Sequence, residues 1–192
     1  MKALDTDLRS TLESTVETAR DTAETGARAA LTQLGVGERD KPDYLDAEQA
    51  ELRRRLRARG RQLGDELRDN GEQETIRLAR EIAYEHWHRM LFARFLAENE
   101  LLVHPEMDVA VTLADCQALA EEEGGARDGF ELAARFATGM LPQIFRADDP
   151  VLDLDMAPEH RNELKRLVQD LPPAVFEADD SLGWVYQFWQ SK

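Results

Sequence analysis

The sequence is poor in residues that build covalent or metal-held frameworks. It has one cysteine, Cys116, and four histidines, His86, His88, His104 and His160, in 192 residues. A single cysteine rules out an internal disulfide and suits a reducing compartment. His86 and His88 are two apart, so on a helix they point about 200° apart and cannot chelate one ion together. No His pair has i, i+4 spacing, which argues against a metal site. No apolar run approaches the roughly 18 residues that span a bilayer, and the N-terminal MKALDTDLRS lacks a signal-peptide core. These features point to a cytoplasmic protein without a membrane partner.

Catalytic signatures are missing too. There is no GxGxxG or GxxxxGK[ST] phosphate loop, no HExxH and no GxSxG. Strand–helix alternation of a nucleotide-binding α/β domain is absent. Acid pairs such as Asp148/Asp149 and Asp153/Asp155 are expected by chance among 39 Asp/Glu. Cys116 has no neighbouring His or basic cluster to activate it, and reads as a small packed residue. No residue is assigned a catalytic, cofactor or metal role.

What is present is helical pattern and uneven charge. Residues 95–192 hold seven Lys/Arg against twenty Asp/Glu, a net of −13, whereas residues 1–94 carry −2. The acidic half will not bind nucleic acid by general electrostatics, because phosphate contacts need clustered cations. It reads as a solubilising surface, as a dock for a basic partner or domain, or as a DNA mimic.

The chain is organised around Ile76–Leu102. Ile76, Ala79, Ala83, Trp87, Met90 and Leu91 keep a helical rhythm. Ile82, Tyr84, Phe92, Phe95 and Leu96 fall off that row, so the C-terminal half is apolar nearly all round and belongs inside a bundle. Glu98 at i+4 is the nearest partner for Arg94.

Before it, Leu4, Leu8, Leu12, Val16, Ala19, Ala23, Ala27, Ala30 and Leu34 form a thin heptad-like seam over residues 4–34. Gly26 weakens its middle. An amphipathic, loosely attached helix or pair of helices is expected, with a partner-binding coiled coil as the alternative. Residues 35–45 read as a linker. Asp46, with Gln49 three later, begins a capping-box helix that Asn70-Gly71 ends. It carries Arg53, Arg54, Arg55, Arg57, Arg59 and Arg61 within nine residues. Either these arginines pair with carboxylates elsewhere, or they contact DNA phosphate.

After it, residues 101–108 read as an irregular crossing with His104 held extended by Pro105. Thr112 with Asp115 starts a helix ending at Gly124-Gly125. Asp128 starts another that Pro142 interrupts. Gln143–Arg146 read as a turn, and 151–156 as an extended loop. Pro158 opens a helix to about Asp170, and Asp180 or Ser181 opens the last one. Four aromatics, Trp184, Tyr186, Phe188 and Trp189, lie in the last nine residues, where termini are usually polar. They imply deep docking or continuation into more protein. The fold expected is all-α, an irregular bundle of six or seven helices around 76–98. Residues 1–71 are read as an N-terminal helical extension and 72–192 as the bundle domain.

Three segments, AYEHWHRMLFARFLAENELL (83–102), MLPQIFRADDPVLDLDM (140–156) and DSLGWVYQFWQSK (180–192), together resemble the helical N-terminal region of large adenine-specific DNA methyltransferases. These are the PglX-like and type IIG-like enzymes of phage-defence and restriction–modification systems. The resemblance covers roughly residues 76–192. It implies S-adenosylmethionine-dependent methylation of adenine N6 by a domain carrying an Asn-Pro-Pro-Tyr/Phe motif and a Gly-rich cofactor motif. Neither motif occurs here, so no cofactor residue is carried over. The chain would be a platform, packed on a methyltransferase domain in cis through Trp184, Tyr186, Phe188 and Trp189. Arg53–Arg61 would contact double-stranded DNA, and other defence-system subunits are further implied partners. A free-standing helical adaptor for a basic partner is the alternative.

Overall fold

A computed structural model describes residues 3–123, 125–142 and 144–191. Gly124, Gln143 and Lys192, on which a helix stop, a turn and the end of the last helix were expected, lie outside the described residues. The chain is all-α. Its helices are α1 (Thr6–Gln33), α2 (Ala47–Leu63), α3 (Ile76–Glu98), α4 (Leu113–Glu123), α5 (Gly129–Met140), α6 (Pro158–Asp170), α7 (Pro173–Phe176) and α8 (Ser181–Gln190). A 3₁₀ turn occupies Pro150–Leu152.

Most of these boundaries follow from local chemistry. Asp46 accepts a hydrogen bond from Gln49 N, and Gln49 Oε1 accepts one from Asp46 N, closing the capping box. Thr112 and Asp115 make the same reciprocal pair before α4. Asp128 caps α5 by accepting from Glu131 N. α7 is one helix more than the sequence suggests. Pro172 stops α6, and Pro173 then suits a first turn, where a missing N–H costs nothing. The extended reading of 151–156 is corrected at its start, because Asp149 caps a 3₁₀ turn by accepting from Val151 N.

Two further expectations are corrected. α2 stops at Gly64, not at Asn70-Gly71. Gly64 takes φ 98°, and its N–H bonds back to Gly60 and Arg61 carbonyls. Residues 67–73 then fold back as a bridged turn. Ile76 is 54 % exposed, so the buried row of α3 begins at Leu78 and Ala79.

Contacts divide the chain into two interleaved units, and neither begins or ends at residue 71 or 72. One unit is made of residues 21–86 and 148–162. Its core joins Ala27, Leu31, Leu56, Leu78, Ile82 and Val151. The α1 seam is buried, not loosely attached: Ala23 and Ala27 have no exposed surface. Alanines there shorten the distance between elements instead of thinning the contact. A Cβ on Gly26 would lie 2.9 Å from both His160 Cβ and Met156 Sδ, so glycine is required by close approach.

The other unit is made of residues 1–20, 87–147 and 163–192. Ala93, Leu96, Leu102, Cys116, Ala133 and Phe145 form its core cluster. Arg94 pairs with Glu98, as expected, and also donates to the Val168 carbonyl, with its guanidinium over the Phe176 ring. Residues 101–111 are a short antiparallel turn. His104 N donates to Val109 O, and Val111 N to Leu102 O. His104 is not simply extended by Pro105. It is buried, and its Nδ1 accepts from Glu106 N and Met107 N.

Candidate nucleic-acid interface

α2 presents its six arginines to different surroundings. Its apolar edge, centred on Leu56, sits in the core, so residues on either side of that edge turn inward. Arg53 is 8 % exposed. Its Nε donates to Gly35 O at 3.0 Å, and its Nη2 to Glu38 O at 2.7 Å and Asp40 O at 3.2 Å. One turn on, Arg57 Nη1 donates to Val36 O at 2.7 Å and also to Glu38 O, and Nη2 reaches Gly71 O at 3.0 Å. Both side chains therefore sit among main-chain carbonyls of the 35–40 linker. Burial, with Arg53 and Arg61 alongside, lowers the Arg57 pKa from its ordinary value. A guanidinium nevertheless remains charged, and charge-assisted bonds of this kind exceed neutral ones.

Arg59 and Arg55 find carboxylates instead. Arg59 Nη2 lies 3.0 Å from Glu81 Oε1 and 2.9 Å from Asp149 Oδ2, and the arginine and Asp149 side chains are mostly buried. Arg55 pairs with Asp153 at 2.7 Å and donates to Asp148 O. The acid pairs of residues 148–155 thus act as counterions: Asp149 and Asp153 face α2, and Asp155 lies 3.7 Å from Arg161. Arg61 reaches Gln73 Oε1 at 2.9 Å. Arg54 pairs only with its helical neighbour Glu51, and its side chain is 76 % exposed.

Of the six, Arg54 and Arg61 are classed as exposed. They are seven residues apart, two turns along one face. Six cations close in sequence are therefore not one basic surface. Buried Gln73 and Asp65 complete the arrangement, and nothing local marks either in the sequence. Gln73 donates to Arg57 O and Gly37 O accepts from Gln73 N. Asp65 accepts from Arg77 N and Leu78 N, capping α3 from eleven residues before its start.

The terminal aromatics are mainly internal to the second unit. Trp189 stacks on Trp87 at 6.4 Å, and its carbonyl accepts from Arg20 Nη1. Trp184 stacks on Phe188, donates to Asp180 and lies under the Arg9 guanidinium at 4.7 Å. Asp180 accepts from Leu4 N as well, which ties the start of the chain to α8. Only Tyr186 of the four is classed as exposed, at 57 %.

Two of the described titratable groups are shifted far by burial. Burial, helped by Asp115, pushes the Cys116 thiol up to about 11, so it is not a thiolate at neutral pH. Burial lowers His88 to about 4, between the Phe92 and Phe145 rings. Within the unit of residues 21–86 and 148–162, His86 Nε2 meets Val151 O at 3.1 Å. No group of three His, Cys, Asp or Glu among the described residues could hold a metal ion, and no helix among them is long and apolar enough to cross a membrane. Comparison with family models, with curated proteins and with solved structures finds no match for this chain.

Proposed function

We propose that this chain is a non-catalytic helical platform, the N-terminal helical portion of an S-adenosylmethionine-dependent adenine-specific DNA methyltransferase of a phage-defence or restriction–modification system. One observation carries the platform half of this reading. The basic helix directs Arg53, Arg55, Arg57 and Arg59 onto carbonyls and carboxylates of its own unit. Those groups brace a fold and leave little charge for a ligand. The likeness of segments 83–102, 140–156 and 180–192 to methyltransferase N-terminal regions supports the other half. Deleting this coding segment in the host and sequencing the genomic DNA for N6-methyladenine tests it. Loss of methylation at one sequence context is the expected result, and an unchanged methylome overturns the reading.

A second reading, a free-standing adaptor for a basic partner, is favoured by a different observation. Residues 95–126 contain eight Asp/Glu and no Lys or Arg, and exposed apolar side chains lie in the same stretch. An unchanged methylome together with capture of a cationic partner would support it.

A further inference from the structure

Of the nine exposed large apolar side chains among the described residues, five fall in two segments that meet at Val103 and Met140. Leu101, Met107 and Val109 are each at least half exposed, and Met140 and Ile144 are 37 % and 47 % exposed. All belong to the 101–111 turn or to the end of α5 and the turn after it. Val103 and Ala110 are directly paired across the turn, so they share a side, and Val109, next to Ala110, takes the opposite one. Met140 is brought alongside, with its Sδ 3.4 Å from Val103 N. Ile144 is held near by its bond to Leu141 O. Scattered surface hydrophobes need no explanation, but five gathered in two abutting segments do.

The surrounding charge has one sign. Glu100, Glu106 and Asp108 are exposed in the same turn, and none makes a salt bridge among the described residues. No Lys or Arg occurs from residue 95 to residue 126. Nucleic acid and anionic bilayers are repelled by such a rim, and a second copy would bring the same acids face to face. The chemistry that satisfies both features is apolar on one side and cationic around it.

The geometry points to a docking surface, formed by the 101–111 turn with Met140 and Ile144, for a cationic amphipathic segment of a protein partner. We infer this as a deepening of the interaction role above, and it rests on the chain being a non-catalytic module. Apolar side chains of the segment would cover Leu101, Val103 and Met140, while its Lys or Arg residues would meet Glu100, Glu106 and Asp108.

The test uses the full chain and a fluorescent Leu/Lys amphipathic helical peptide of about five turns, with a Leu/Glu peptide as control. Binding is read by anisotropy and mapped by amide shifts. Leu101→Ser with Met140→Ser should weaken the Leu/Lys peptide by at least ~10-fold, as should Glu100→Gln with Glu106→Gln. Leu67→Ser with Tyr186→Ser, at exposed sites elsewhere, should leave it unchanged. All these positions are exposed, so circular dichroism should show intact folds. Weakening by the acid variants alone would reveal general charge attraction and overturn the proposal. Equal binding of the Leu/Glu peptide, shifts outside 99–112 and 138–146, or self-association abolished by the Leu101/Met140 variant would each overturn it as well. None of these results touches the platform reading, which stands or falls on the methylome.

Discussion

Arg53 and Arg54 are neighbours in sequence and opposites in environment. Arg53 donates to three linker carbonyls and is buried, whereas Arg54 lies along the helix surface beside Glu51. Removing the buried guanidinium forfeits three charge-assisted bonds at once and leaves a gap beside the Gly35 carbonyl. Arg53→Ala should therefore destabilise the chain by about 2–4 kcal/mol, read as a lower urea midpoint. Arg53→Lys should recover little, because one ammonium cannot span carbonyls placed for a planar fork. Arg54→Ala should leave the midpoint where it was. Equal effects at the two positions would mean that the linker is not held by Arg53. The residue scale also supplies a pH dependence. His88 has a folded pKa lowered to about 4 by burial, against about 6.5 for the unfolded chain. Between those values the unfolded state binds the extra proton, so stability falls as pH drops from about 6.5 to about 4 and is fully present above that window. His88→Leu should flatten this part of the urea-midpoint profile.

At the scale of elements, α1 gives the sharpest contest between local preference and packing. An interior glycine costs a helix about 1 kcal/mol relative to alanine, so propensity alone says that Gly26→Ala stabilises. The structure says the reverse, because the new Cβ would meet His160 Cβ and Met156 Sδ at 2.9 Å. Overpacking of this kind costs about 1–3 kcal/mol, so Gly26→Ala should lower the thermal midpoint, and a rise would show that the contact can relax. The same contrast explains what was legible in the sequence. Caps at Asp46, Thr112 and Asp128 are written within three residues of the groups they bond, and α3 spans Ile76–Glu98 as its rhythm implies. The counterions of α2 are not written nearby, since Asp153 lies 98 positions from Arg55. Nor is the cap of α3, because Asp65 is separated from it by a bridged turn. The thin seam of α1 was misleading for a related reason: small residues mean weak contact only if the partner stays at ordinary distance. The end of α2 is expected at Asn70-Gly71, but Gly64, six residues before Asn70, takes a left-handed conformation and stops the helix there.

For the molecule as a whole, charge decides between a platform and a DNA clamp. The chain carries −15, with nearly all of the excess after residue 94, so a duplex approaching it is repelled except near α2. If all six arginines of α2 met phosphates, the logarithm of affinity would fall with the logarithm of salt at a slope of about −5. The structure leaves Arg54 and Arg61 as the exposed pair, which sets the slope nearer −2. Anisotropy of a labelled duplex, titrated with the full chain over a range of low salt, distinguishes these values directly. We expect a shallow slope, with binding lost altogether near physiological ionic strength. Arg54→Gln with Arg61→Gln should remove the residue of binding without changing the urea midpoint. A slope near −5 would require the 35–40 linker and residues 148–153 to release their arginines on binding. That release would itself be measurable, as loss of amide protection in those two segments when DNA is added. A steep slope without it would place the phosphates on cations outside α2.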